Sequence, residues 1–290
     1  MRKKNYISTV GMSDAEWLAL RQYSIGASEV AAAMEACKYK SRFMLWEEKA
    51  LGVKRDFNES ALHRMDMGNR LEDVICKLAS DRLGLPVFED NKIRIHPEHE
   101  FMTCNLDRRI YDPTRGPGAL EAKSTSKYVV DSWEPGQDME LSWFLQIQDQ
   151  LAITGWKWGY VAILIDGRDF RLIPVQRDEK VIKNITLACV RFWSLVRNGT
   201  PPQERDLDIP YMRPNPGISV IASSETEARV IEIAKLNSKI KSLEAEKEAL
   251  KKKIQLFMND QNKGDHLYSA SGELIATWKL GKKNRSFRLC

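Results

Sequence analysis

The sequence predicts an α/β domain carrying a C-terminal helical appendage, and three observations support that expectation. Helix-like and strand-like patterns alternate from Leu71 to Ile165 in the order helix, three strands, helix, strand. The stretch from Asn198 to Pro216 holds five prolines and few apolar residues, as a linker does. Beyond it, Ile233, Leu236, Ile240, Leu243, Leu250, Ile254 and Phe257 recur at spacings of three and four, with Lys247 in the one missed position. Glu and Lys fill much of the remainder, the pattern of a coiled coil or a helical hairpin. The expected division is a domain over 1–200, a linker over 201–217 and a coiled coil with a basic aromatic tail over 218–290.

Each element has a local reason. Ser13-Asp-Ala-Glu16 is a capping box and starts a helix carrying Trp17 and Leu20. Ile25-Gly-Ala-Ser-Glu29 turns into an Ala-rich helix capped by Ser28, and Ser41 caps a third helix containing Phe43, Leu45 and Trp46. Leu71, Val74, Ile75, Leu78 and Leu83 form one apolar stripe on a longer helix from about Ala61 to Gly84. Strands are expected around Val87–Ile95, Phe101–Ile110 and Ala119–Ser124, then a helix over Glu140–Thr154 stopped by Gly155. Asp166-Gly167 turns a hairpin between Tyr160–Ile165 and Phe170–Val175. A helix from about Asp178 to Val196 closes the domain.

Composition narrows the function classes. Lys and Arg number 45 against 40 Asp and Glu, a net charge of +5, which suits a polyanionic partner without requiring one. Five scattered cysteines without a Cys-x-x-Cys pair, and only four histidines, argue against a structural zinc site and for a reduced, cytoplasmic setting. The N-terminal Met-Arg-Lys-Lys-Asn-Tyr has no apolar core for a signal peptide, and no apolar run reaches membrane-spanning length, so neither secretion nor membrane insertion is expected. No Gly-x-x-x-x-Gly-Lys-Ser/Thr loop occurs, so the chain itself should not consume ATP.

The chemistry concentrates between Asn105 and Thr125. Asp107 ends one expected strand, and Glu121-Ala-Lys123 follows fourteen residues later on the next. Residues two apart on a strand share a face, so Glu121 and Lys123 point the same way, and Asp107 can meet them across a hairpin. Two carboxylates can then hold a hard cation beside an ammonium group, which is what metal-dependent phosphodiester hydrolysis needs. Glu-x-Lys on a strand is commonly an exposed ion-paired face. Here it lies near a strand end, entered from Gly116-Pro-Gly118 and followed by Ser-Thr-Ser, where sites tend to be built.

The element order and the Asp107, Glu121-x-Lys123 pattern resemble the restriction-endonuclease-like nucleases. Trp17-x-x-x-Arg21, Ile25-Gly-Ala-Ser28-Glu29, Met67-Gly-Asn-Arg-Leu-Glu72, Leu120-Glu-Ala-Lys123 and Leu145-Gln-Ile-Gln-Asp-Gln-Leu151 stand in the order found in the YqaJ-like viral recombinase family, the group that includes phage lambda exonuclease. The resemblance spans roughly Trp17 to Pro202. It implies that Asp107, Glu121 and the Ala122 carbonyl hold one Mg²⁺ (or Mn²⁺), with Glu72 and Asp107 helping a second. Lys123 and Gln146 then serve the attacking water, and Arg21 with Ser28 receives a terminal 5′ phosphate. A helix start at Ser28 would favour an anion independently of any family. The family commonly has Pro-Asp-Gly where this chain has Leu106-Asp107-Arg108, leaving Arg108 or Arg109 to meet DNA phosphate or to occupy the opposite sheet face.

The resemblance further implies linear double-stranded DNA as substrate, 5′→3′ digestion to leave 3′ tails, a single-strand annealing protein as partner and a ring-shaped homo-oligomer. An endonuclease or structure-specific nuclease would use the same residues. The non-enzymatic alternative is a DNA-organising protein that recruits a partner through residues 224–290.

Overall fold

The apolar run Trp158–Ile165 sits at the centre of the architecture because both of its faces are covered. Val161, Ile163 and Ile165 belong to one buried cluster, and Trp158, Ala162 and Leu164 to another. A strand with two apolar faces needs helices on both sides, and this chain supplies them. The structure is a computed structural model that describes residues 5–54, 58–205, 208, 219–260, 264–280 and 285–290. The chain divides into two compact units, Met1–Arg213 and Pro214–Cys290.

In the first unit the elements run β1 (Tyr6–Ser8), α1 (Asp14–Gln22), β2 (Ile25–Gly26), a 3₁₀ turn (Ala27–Glu29), α2 (Val30–Ala33), α3 (Arg42–Ala50) and α4 (Glu59–Leu83). Then come β3 (Val87–Phe88), β4 (Lys92–Ile95), β5 (Met102–Cys104), β6 (Arg108–Asp112), β7 (Gly116–Thr125), α5 (Lys127–Val130) and α6 (Leu141–Thr154). The hairpin β8 (Trp158–Ile165) and β9 (Asp169–Gln176) leads into α7 (Glu179–Asn198). A five-stranded sheet has the order β3-β6-β7-β8-β9, antiparallel except where β7 runs parallel to β8. Helix α4 covers one face of it through Ile75, Cys76 and Ala79, and α6 and α7 cover the other. A four-stranded sheet, β1-β4-β5-β2, packs through β5 against the 3₁₀ turn and α6.

Capping follows the sequence closely at two starts. Ser13 and Glu16 exchange hydrogen bonds as a full capping box, and the Ser41 hydroxyl accepts from the Met44 amide at 2.9 Å. Helix α4 stops at Gly84 in the left-handed conformation (φ 63°), where a side chain would be strained.

Several boundaries differ from the sequence pattern. The single strand expected over Val87–Ile95 is two: β3 pairs with β6, whereas β4 pairs with β1 and β5 in the other sheet. Phe101–Ile110 splits in the same way into β5 and β6. Ser28 does not cap a long helix. Gly26 occupies the cap of a 3₁₀ turn that passes into only four residues of α2. Within the expected linker, Asp208 is buried and accepts hydrogen bonds from Ser41 and from the Arg205 amide, so the chain packs on the first unit at least that far. Most of the rest of that segment lies outside the described residues.

In the second unit, α8 (Ser224–Asp260) is one uninterrupted helix, which rules out the helical hairpin. The expected basic tail is instead a three-stranded antiparallel sheet, β10 (His266–Tyr268), β11 (Leu274–Leu280) and β12 (Arg285–Leu289), in which Trp278 faces Phe287. Among the described residues, no helix is long and apolar enough to cross a membrane.

Candidate active site

The period of a strand places the acid and the lysine on one face. Leu120 packs against α4, so Glu121 points the other way, toward α6, and Lys123 follows it. Glu121 is only 2% exposed, yet its carboxylate is fully engaged. Oε1 accepts from Lys123 Nζ at 2.7 Å and from Gln146 Nε2 at 2.5 Å, and Oε2 accepts from Gln150 Nε2 at 2.6 Å. Lys123 also donates to Gln146 Oε1 at 3.0 Å. Gln146 and Gln150 stand four residues apart and therefore share one face of α6.

Asp107 immediately precedes β6, whose Arg108 pairs with Leu120 of β7. Its Oδ2 accepts the Ala122 amide at 2.7 Å, fixing the acid at the sheet edge. In extended backbone the N–H and C=O of one residue face the same edge, so the Ala122 carbonyl faces the side on which Asp107 lies. Burial, reinforced by the neighbouring Glu121, pushes the Asp107 carboxyl well above its usual range. Burial works to depress Lys123, but Glu121 and Asp107 outweigh it and hold the ammonium charged.

Glu72 shares a cleft with Asp107. It is engaged by Arg108, whose Nη1 lies 2.8 Å from Glu72 Oε1 and whose other terminal nitrogen meets Asp73. Among the described residues, no three His, Cys, Asp or Glu side chains gather closely enough to cage a metal. Arg108 is thus an internal partner of α4, and Arg109 lies over the Phe88 ring at 5.0 Å. The donor set still fits a hard divalent cation. Buried Glu121 and half-buried Asp107 lie at one sheet edge beside the Lys123 ammonium, and oxygen ligands are what Mg²⁺ and Mn²⁺ take.

Arg21 and Ser28 meet at 3.3 Å through Nη2 and Oγ. Two residues that the sequence pattern did not single out hold this pair. Glu29, 7% exposed in its side chain, contacts Arg21 at 3.2 Å and Lys49 at 2.8 Å, and accepts the Gly26 amide at 2.9 Å. Burial would raise the Glu29 carboxyl, but Arg21 and Lys49 together bring it below its usual range. Lys49 also donates to the Arg21 carbonyl at 2.6 Å. A cavity of about 310 Å³ is lined by Trp17, Arg21, Ser28, Asn105, Asp107 and Gln146 among others, so the Arg21–Ser28 pair and Asp107 share one space.

Comparison with known proteins places this arrangement in a class. The fold is that of the alkaline exonucleases: two structures of LHK-Exo, one of them in complex with dAMP and one described as an alkaline exonuclease from Laribacter hongkongensis, are similar at TM-scores of 0.53 and 0.52. Both are 21% identical to this chain and cover 64% of it and 94% of their own length. Residues 16–157 match the YqaJ-like viral recombinase domain family. A further relative, "Uncharacterized protein YqaJ" of Bacillus subtilis (strain 168), is 28% identical over 284 residues, covering 94% of this chain and 86% of that protein.

Proposed function

We propose that the first unit is a metal-dependent deoxyribonuclease that digests linear duplex DNA from a 5′ end and leaves 3′ single-stranded tails for recombination. The observation that carries this reading is the shared cavity, lined by the Arg21 guanidinium, the Ser28 hydroxyl, the Asp107 carboxyl and the Gln146 amide. A terminal phosphate on Arg21 and Ser28 would set the adjacent bond beside Asp107. That LHK-Exo, similar in fold, is known in complex with dAMP supports a nucleotide ligand for this chain.

In this reading Asp107, Glu121 and the Ala122 carbonyl would hold one Mg²⁺ or Mn²⁺, and Glu72, once released by Arg108, would help to hold a second. Ions held there would supply Lewis acidity and ease deprotonation of the attacking water. Lys123, as a cation, offsets negative charge gathering on the scissile phosphate. Gln146 bonds both Glu121 and Lys123, and so orients the pair and presents an amide to the attacking water. Binding along the DNA backbone comes from Lys and Arg charge and weakens with salt. The tailed product is what a single-strand annealing protein would take up.

The decisive experiment compares linear and covalently closed duplexes with and without Mg²⁺. Digestion of the linear form alone, abolished by chelation, is expected. Rapid cutting of closed circles would move the reading to an endonuclease, and no hydrolysis under any metal would leave a DNA-binding protein.

A further inference from the structure

Helix α8 carries a seam that a single chain leaves uncovered. Assigning Ile233 to heptad position a makes the a residues Ile233, Ile240, Lys247 and Ile254, and the d residues Leu236, Leu243, Leu250 and Phe257. Ile233, Leu236, Ile240, Leu243, Leu250 and Phe257 are 51–58% exposed, although the helix is continuous across all of them. β-branched residues at a with leucine at d favour two parallel strands over three or four, and one polar a residue fixes register at some cost in stability. Lys247 is that residue.

We infer that α8 pairs with α8 of a second copy of this chain as a parallel, in-register, two-stranded coiled coil. Charge complementarity selects this occupant. In a parallel pair each g residue faces the e residue of the following heptad on the other helix. Lys239 would then meet Glu244 of the second copy, and Glu246 would meet Lys251, each contact occurring twice by symmetry. Within one chain Lys251 turns instead to Glu248 at 3.1 Å, an exposed contact that a flexible side chain exchanges readily. Lys247 faces its own counterpart at the seam, but its stem can run outward past Glu246 of the second copy, which a two-stranded coil permits more easily than a three-stranded one. The inference is independent of the nuclease reading, since it rests on the second unit alone.

Sedimentation and light scattering of the full chain test it, alongside oxidative crosslinking in a Cys290→Ser background. The mass should be that of two chains. Lys239→Glu, which turns two attractions into repulsions, should weaken self-association roughly tenfold, and adding Glu244→Lys should restore it. Both are surface changes on an exposed helix, so circular dichroism should be unaltered. Leu243→Cys should crosslink rapidly to a dimer because d residues face each other in a parallel pair, whereas Ala245→Cys, on the outer face, should not. A monomer, a three-chain mass, equal crosslinking at both positions, or self-association indifferent to Lys239→Glu would each overturn the inference.

Discussion

Gln150 places its side-chain amide 2.6 Å from Glu121 Oε2 while also donating to the Asn105 carbonyl at 3.1 Å. It thereby ties helix α6 to the acid of β7 and to the loop that carries Asp107, three pieces of the candidate site that come from distant parts of the chain. Gln150→Ala should therefore leave a buried carboxylate oxygen and a backbone carbonyl short of donors. A loss of about 2–4 kcal/mol in urea-unfolding free energy is expected, with turnover reduced further than DNA affinity. Unchanged stability would show that the two contacts contribute nothing.

The proposed chemistry separates binding from turnover. Glu121→Ala and Lys123→Ala should each abolish Mg²⁺-supported hydrolysis while leaving duplex affinity within about threefold, because backbone binding is spread over many cations. Electrophoretic mobility shift and single-turnover hydrolysis on one substrate provide the check. Near wild-type rates in either variant would remove these residues from the site.

End recognition rests on Arg21. A terminal phosphate carries more negative charge than an internal diester, and charge-assisted bonds of about 1–3 kcal/mol predict a five- to 150-fold preference for 5′-phosphorylated over 5′-hydroxyl ends. Arg21→Ala should erase most of that preference and spare metal binding. Equal rates of the wild-type protein on both ends would count against the assignment.

A pH effect follows from Asp149, which is wholly buried on α6 with neither carboxylate oxygen bonded. Burial alone pushes its carboxyl up to about 8. The folded chain then holds a proton that the unfolded chain releases near the ordinary carboxylate value of about 3.9. Its stabilising share is complete below that value and is lost as pH rises toward 8. Asp149→Asn should flatten the pH dependence of the melting temperature across that window and raise the melting temperature at pH 8. Parallel wild-type and variant curves would refute the account.

Separate hydrophobic patterns in the two units predict that truncation after Gly217 leaves a folded domain retaining most of its hydrolytic activity. Circular dichroism and a nuclease assay on the truncated chain decide the matter. An unfolded product would make the second unit part of the first unit's core.

The sequence exposed the site better than it exposed the sheets. Period two put Glu121 and Lys123 on one face, and Asp107 needed only one hairpin to reach the Ala122 amide. The short strands were harder to read. Val87–Phe88 and Lys92–Ile95 look like one interrupted strand, and only long-range pairing sends them to different sheets. Gln150 was hidden because Gln148, Asp149 and Gln150 are consecutive polar residues that should not all be buried, yet all three are. Its spacing of four from Gln146 was the available signal. Glu29 looked like an ordinary residue of a first helical turn, since nothing local announces Lys49 twenty residues on. The C-terminal sheet was masked by its lysines, although Ala276 and Trp278 alternate as strand residues do and Gly272 turns with φ at 89°.

The cluster around Glu29 can also be viewed as a sum of charges. Lys49 and Glu29 are 3% and 7% exposed, and as neighbours of opposite sign they largely cancel inside the domain. Arg21, 31% exposed, is the second cation on the same carboxylate. Two positive groups on one negative group leave a surplus of one, and it resides on the member that reaches the cavity. In the proposed reading, the charge that Arg21 offers a terminal phosphate is set from within, by a buried lysine that does not line the cavity. Neutralising Lys49 would leave Arg21 as the sole cation on Glu29 and weaken its pull on an anion without altering a single residue that lines the cavity.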